Sequence, residues 1–179
     1  MIADHWLADV TQVQSPNCSD RPAGEEISLL VIHNISLPPG EFGGPWIDKL
    51  FTNELPPDAH PYFADIAALR VSAHLLIRRD GAIIQYVPFN RKAWHAGQSC
   101  FETRENCNEF SIGIELEGCD DKPFTDEQYD RLATVTRYLI SHYPAIGSGR
   151  IVGHSDIAPG RKTDPGPHFD WTRYLANCL

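Results

Sequence analysis

Residues 28–33 read Ser-Leu-Leu-Val-Ile-His. An apolar run this continuous, rich in branched side chains and free of polar alternation, is a strand buried on both faces. Both faces must then be covered, and the rest of the chain offers helices to cover them. Residues 110–117, Phe-Ser-Ile-Gly-Ile-Glu-Leu-Glu, alternate. Phe110, Ile112, Ile114 and Leu116 take one face of this second strand, and Glu115 and Glu117 take the other. The runs 71–78 and 83–87 flank Arg79-Asp80-Gly81, and Asp-Gly marks a hairpin. Thr125 followed by Gln128 forms a capping box for a helix that turns Tyr129, Leu132, Ala133, Thr136, Leu139, Ile140 and Tyr143 to one side. Ile151-Val152 is a short strand, and Asp170 caps a last helix from Trp171 to about Cys178. The order strand, loop, hairpin, strand, helix, strand, helix predicts an α/β fold with a mixed central β-sheet flanked by helices. The length of 179 residues suits a single domain, 1–179, that buries its core without staples.

Two stretches fall outside this pattern. Residues 1–27 are mixed and polar and read as an N-terminal arm or loop. Residues 36–61 carry prolines at 38, 39, 45, 56, 57 and 61 and glycines at 40, 43 and 44. They read as a long loop with a short helix near 46–53, of a length expected for a lid or binding loop. Fifteen basic residues against 24 acidic ones give a net charge of −9. That balance argues against nucleic acid or an anionic membrane as partner, and no apolar stretch approaches the roughly 18 residues of a membrane span. The opening residues MIADHWLADVTQVQSP lack a basic start and a sustained apolar core, so a cytoplasmic protein is expected. The five cysteines, Cys18, Cys100, Cys107, Cys119 and Cys178, are odd in number and contain no C-x-x-C. Free thiols in a reducing compartment are the simplest reading, with one or two bridges as the alternative.

Two of the eight histidines sit where a buried strand gives way to a loop: His33 and His154. Asp164 follows ten residues after His154 and precedes Pro165, which biases it to an extended backbone. Lys162 would point the same way if 162–164 is extended. Two imidazoles and a carboxylate make a zinc triad with a fourth position open to water. Spacing alone does not establish it, because a histidine at a strand end is more often a hydrogen-bonded structural residue. H-E-x-x-H is absent, which disfavours the zincin peptidases. Glu117, beside Gly118, reads as solvated. Glu115 lies deeper, where apolar walls raise proton affinity and suit a general base; the pattern itself does not choose between the two. His5, His60, His142 and His168 read as exposed and His74 as structural, while His95 is ambiguous. Trp94 is either core or a stacking platform for a sugar or an apolar ligand. Arg70 is either a surface residue or a fork for an anionic group.

Several stretches together carry a resemblance. They are Leu30-Val-Ile-His-Asn-Ile-Ser-Leu-Pro-Pro-Gly-Glu-Phe-Gly-Gly-Pro45, Val71-Ser-Ala-His74, Ala93-Trp-His-Ala-Gly97, Phe110-Ser-Ile-Gly-Ile-Glu-Leu-Glu-Gly118 and Ile157-Ala-Pro-Gly-Arg-Lys-Thr-Asp-Pro-Gly166. In this order they resemble the motifs of the type 2 N-acetylmuramoyl-L-alanine amidases, a family that includes phage lysozyme-like amidases and peptidoglycan recognition proteins. The chain looks most like the members that act on 1,6-anhydro-muropeptides in cytoplasmic peptidoglycan recycling. The resemblance implies the same fold and a Zn2+ ion held by His33, His154 and Asp164. It implies Glu115, not Glu117, as the catalytic carboxylate, with Lys162 as its partner. Asn34, Arg70 and Trp94 are implied substrate contacts. The implied substrate is the amide between the lactyl group of 1,6-anhydro-N-acetylmuramic acid and L-alanine, cleaved by a monomer. One departure is Gly160, which stands where a bulkier acidic residue is expected. A non-catalytic muropeptide-binding module on the same fold is the competing reading. Such a module would have lost a ligand, whereas all five site residues are present here.

Overall fold

The computed structural model describes residues 2–178. Its centre is a six-stranded sheet of β1 (Thr11–Gln12), β2 (Leu29–Ile35), β3 (Leu75–Ile77), β4 (Ile83–Gln85), β5 (Ser111–Glu117) and β6 (Ile151–Gly153), in the spatial order β6-β2-β5-β3-β4-β1. Strands β6, β2, β5 and β3 run parallel, β3 and β4 form the antiparallel hairpin, and β1 pairs parallel with β4. The sheet is therefore mixed, as expected. Residues 71–74 precede β3 outside regular pairing, so the hairpin strands are shorter than their apolar runs.

Leu29, Leu30, Val31 and Ile32 are all fully buried, as a strand covered on both faces requires. On one face Leu30, Ile32, Ile112, Ile114 and Leu116 share a core with α3 (Asp126–His142) and α5 (Trp171–Cys178). Thr125 and Gln128 close the capping box of α3, and the Asp170 Oδ1 accepts from the backbone N–H of Arg173 at the start of α5. Tyr129, Leu132, Ala133, Thr136 and Leu139 of α3 are buried, while Ile140 and Tyr143 are only partly so. On the other face Leu29 and Val31 pack with Ala96, Phe110 and Ile157. Phe110 thus lies opposite to Ile112, against the simple alternation. It ends a 3-10 turn with φ −121° and ψ 9°, and this breaks the period of two before β5 begins.

Residues before Ile27 do more than the arm or loop expected of them. Trp6–Leu7 pairs with Ile2–Ala3, β1 edges the sheet, and Cys18–Asp20 pairs with Arg91–Ala93. The Arg21 guanidinium donates to the carbonyls of Phe89, Asn108, Glu109 and Ser111. Its pKa is lowered to about 10, chiefly by burial. Polar residues are here tied into the structure by hydrogen bonds, which a reading of apolar periodicity does not register.

The segment 36–61 is packed down rather than free. Its helix α1 (Trp46–Phe51) buries Ile47, Leu50 and Phe51 with Leu76, Tyr86 and Phe63 of α2 (Phe63–Ile66). A charged network holds it. Arg78 pairs with Asp48 at 3.2 Å and with Glu117 at 3.2 Å. Glu117 also accepts from the backbone N–H of Gly43 at 2.6 Å and of Arg79 at 3.2 Å, and the Tyr86 hydroxyl donates to Asp48. Glu117 is 2% exposed and so is not the solvated residue expected from its place beside Gly118. The loop that covers it comes from 74 residues away in sequence. Glu117→Gln should lower stability by about 1–3 kcal/mol, the range for a buried hydrogen-bonded group that loses its matched partner. Urea unfolding measures this, with Glu102→Gln, exposed and paired only at 3.6 Å to Arg150, expected to stay within about 0.5 kcal/mol.

Candidate metal and catalytic site

The parallel register of β2 and β5 sets Glu115 beside His33. Both residues lie toward the carboxyl ends of their strands, where an open parallel sheet presents its ligand sites. His154 opens the one-turn helix α4 (His154–Ile157), and Asp156 accepts from the Gly153 N–H at 2.7 Å to cap it. The Asp164 carbonyl accepts from the Ser155 N–H at 3.0 Å, which ties the 158–166 loop back to α4. Gly160 has φ +75° and no heavy atom near an added Cβ, a backbone conformation that glycine favours.

These elements bring His33, His154 and Asp164 together. The Nδ1 atoms of the two histidines are 3.0 Å apart, and Asp164 Oδ2 lies 3.0 Å from His33 Nδ1 and 3.1 Å from His154 Nδ1. Among the described residues, they form the group of His, Cys, Asp and Glu side chains able to hold a metal ion. Burial is the largest influence on His33 and pushes its pKa down to about 4, which leaves the imidazole neutral at pH 7. Burial opposes ionisation of Asp164, but hydrogen bonding with His154 and His33 outweighs it and holds the carboxyl below its usual range. A neutral imidazole at His33 and an anionic carboxylate at Asp164 are protonation states that suit a divalent cation.

Glu115 is buried beside this group, and its Oε2 has no hydrogen-bond partner. Burial first, and the Asp164 charge second, raise its pKa well above that of an ordinary glutamate, while the Lys162 charge acts the other way. Lys162 is exposed, and it lines the same cleft of about 610 Å³ as Glu115 and Asp164. Its backbone N–H donates to Ala158 in a turn, so the segment is not extended throughout, yet both side chains reach the cleft.

The other expected residues are placed as follows. Asn34 lines the cleft, with its amide N–H groups committed to Asp120 and to the Pro165 carbonyl, which leaves its oxygen open. Trp94 is half-buried along the cleft, with its indole N–H on Ser19. Arg70 is exposed beside the cleft residues Leu69 and Val71, and its guanidinium bonds only the nearby carbonyls of Ala68 and Leu69. His5, His142 and His168 are exposed, and His60 is half-buried against Phe63. His74 is a satisfied structural residue: it accepts from the Gly113 N–H and donates to the Arg91 carbonyl. All five cysteines are free, and Cys119 lines the cleft. The sequence reading left His95 undecided and passed over Ser111 and the Ala96 carbonyl. His33 Nε2 lies 2.9 Å from His95 Nδ1, His95 Nε2 lies 3.0 Å from Ser111 Oγ, and His154 Nε2 donates to the Ala96 carbonyl at 3.1 Å. The available signal was Gly113: a glycine inside a branched apolar strand marks a close approach.

Comparison with known proteins gives this geometry a setting. The family model described as N-acetylmuramoyl-L-alanine amidase matches residues 23–167. The 1,6-anhydro-N-acetylmuramyl-L-alanine amidase AmpD of Enterobacter cloacae is 61% identical over 98% of this chain and 94% of its own. A crystal structure of a selenomethionine AmpD derivative superposes with a TM-score of 0.98 at 61% identity, covering 100% of this chain and 99% of that one. The Escherichia coli amidase AmiD, solved in complex with the substrate anhydro-N-acetylmuramic acid-L-Ala-D-γ-Glu-L-Lys, shares 28% identity and a TM-score of 0.65 over 90% of this chain and 61% of that one. With the family's span enclosing both histidines, Glu115 and Asp164, and with near-complete identity of fold to a relative, the chain belongs to the N-acetylmuramoyl-L-alanine amidases and is an enzyme of that family.

Proposed function

We propose that this enzyme hydrolyses the amide between the lactyl carbonyl of 1,6-anhydro-N-acetylmuramic acid and L-alanine, with a zinc ion held by His33, His154 and Asp164. The observation that carries this reading is the convergence of two imidazole Nδ1 atoms and a carboxylate oxygen beside the unpartnered carboxylate of Glu115. The donor set fits zinc: bonds of about 2.0–2.1 Å to a tetrahedral ion set its ligand atoms about 3.3 Å apart, close to the 3.0–3.1 Å found here. Bound zinc supplies a water of pKa about 7 and a Lewis acid for the scissile carbonyl.

The protein's own groups do the rest. Glu115, whose proton affinity burial raises, accepts the proton of the attacking water at Oε2 and returns it to the departing alanine nitrogen. The Lys162 ammonium faces the same cleft and balances the negative charge that develops on the carbonyl oxygen. The open amide oxygen of Asn34 and the ring of Trp94 meet the muropeptide within the cleft, and Arg70 meets it at the rim. The enzyme acts as a monomer in the cytoplasm on fragments of the cell wall in recycling. Five free thiols fit a reducing compartment, and no helix among the described residues is long and apolar enough to cross a membrane.

Mass spectrometry of an anhydro-muropeptide digest, with and without a chelator, tests the reading directly. The free stem peptide should appear only in the untreated reaction and return when zinc is restored. Equal release after chelation would overturn the metal role. Asp164→Ala should purify without stoichiometric zinc, because two neutral imidazoles leave the charge of the ion poorly matched; metal analysis and turnover check this together.

Glu115→Gln should keep zinc near one per chain and lower kcat by about 10²–10⁴ with little change in substrate binding. Loss of zinc from this variant would make Glu115 a ligand or structural carboxylate instead. The same substitution has a second readout in the metal-free protein. Folding raises the Glu115 pKa, so its stabilising contribution is full below the unfolded value and is lost as pH rises through the folded value. Metal-free Glu115→Gln should therefore be more stable than the parent at pH 7, with the difference shrinking toward pH 4 in urea titrations.

A further inference from the structure

Both proposed histidine ligands are gripped from behind by a single short segment, residues 94–98. The His95 ring packs edge-on against that of His33, with centroids 5.0 Å apart, and continues to Ser111. The next residue supplies the carbonyl that accepts from His154 Nε2 at 3.1 Å, and the same carbonyl accepts from Arg161, the neighbour of Lys162, at 2.6 Å. Asn108 fixes the segment by accepting from the backbone N–H groups of His95 at 3.1 Å and Ala96 at 2.8 Å. Gly113 makes the room: a Cβ there would stand 2.4 Å from His95 Cγ.

We infer that residues 94–98 are the positioning shell of the metal site, and that His95 is the positioning residue that sets which nitrogen His33 presents to the ion. The inference rests on the zinc reading above. A carbonyl can only accept, so the contact with Ala96 puts a proton of His154 on Nε2 and leaves Nδ1 as the nitrogen that can face an ion. His33 has no carbonyl behind it, only His95. The chain His33–His95–Ser111 can be protonated in two directions. In one, His33 Nε2 donates to His95 Nδ1 and His95 Nε2 donates to Ser111 Oγ, which leaves His33 Nδ1 bare toward Asp164. In the other, Ser111 donates to His95, His95 donates to His33, and the proton of His33 lies in the space the ion must occupy. Metal binding requires the first direction, and His95 supports it by offering an acceptor at 2.9 Å, its ring seated over Gly113 where no Cβ would fit. His95 also touches the cleft, so its role must be read in the absence of substrate.

The test is the zinc affinity of the full-length protein, measured without substrate by competition with a chelating dye, for the parent and for His95→Asn, His95→Gln and His95→Phe. The Asn Oδ1 falls near the place of the imidazole Nδ1 and can accept from His33, whereas the Gln amide reaches toward Ser111 instead. Asn should stay within about threefold of the parent, and Gln and Phe should lose about 10–100-fold, the usual effect of removing a ligand's hydrogen-bond partner. A Phe variant that binds zinc like the parent overturns the inference. So does an Asn variant as weak as Gln, which would reduce His95 to packing. Should Phe fail to fold in circular dichroism, the Asn and Gln pair decides. A parent that binds no zinc overturns the zinc reading and this inference together. A parent that binds zinc and an Asp164→Ala that does not, with all His95 variants tight, overturns this inference alone.

Discussion

The parallel pairing of Leu29–Ile35 with Ser111–Glu117 is the constraint on which the rest depends. Seven residues of each strand are in register, and that register places Glu115 beside His33. Side chains alternate across a strand, so a slip of one residue by either strand would turn its own His33 or Glu115 into the helical core and bring Ile32 or Ile114 into the cleft. The core forbids that slip. Leu30, Ile32, Ile112, Ile114 and Leu116 are each fully buried under α3 and α5, and at about 25 cal/mol per Å² of apolar surface such residues dominate the stabilisation. Hydrophobic packing on one face therefore sets polar geometry on the other.

Behind the site the protein buries an unusual set of polar groups and satisfies them. His74 is fully buried between the Gly113 N–H and the Arg91 carbonyl, and burial lowers its pKa to about 3. Arg21 donates to four backbone carbonyls, one of them that of Ser111, without a carboxylate partner. Gln128 spans from Ile77 to Glu117. An unsatisfied buried polar group costs about 1–3 kcal/mol, so such networks hold only when complete. Glu115 Oε2 is an exception, one of three buried side-chain nitrogen or oxygen atoms without a partner among the described residues. A carboxyl oxygen left unpaired among satisfied neighbours is held at a cost in stability, which the proposed role of Glu115 in proton transfer would explain.

The long Pro- and Gly-rich segment gains its order from two sources: apolar anchors on α1, and the charges of Arg78, Asp48 and Glu117. Phe42 lies under the Arg79 guanidinium at 4.8 Å and the Lys122 ammonium at 5.1 Å, which joins this segment to the loop after β5. The cleft is thus bounded by loops that are fastened to the sheet rather than draped over it. The two neighbouring glutamates of β5 are both buried and differ in their partners. Glu117 is fully committed to the loop, and Glu115 keeps one oxygen free.

The sequence by itself determined the elements whose cause is local. The buried run at 29–32, the Asp-Gly hairpin, the Thr125–Gln128 capping box and the Asp170 cap are all where periodicity and capping chemistry put them. It also held the candidate site residues as a resemblance, in motifs spread from residue 30 to residue 166. What local pattern could not reveal was which distant segment covers or bonds a given residue. Glu117 read as solvated because its cover arrives from residue 43, and Phe110 read as facing Ile112 because a local turn broke the period. The first 27 residues read as an arm because their bonds run through polar atoms to Phe89, Asn108 and Ser111. His95 stayed ambiguous for the same reason: its contact with His33 is a distance of 2.9 Å to a residue 62 positions away. Periodicity records which face a side chain takes, while its partner is decided only when strand register and loop packing close the distance in three dimensions.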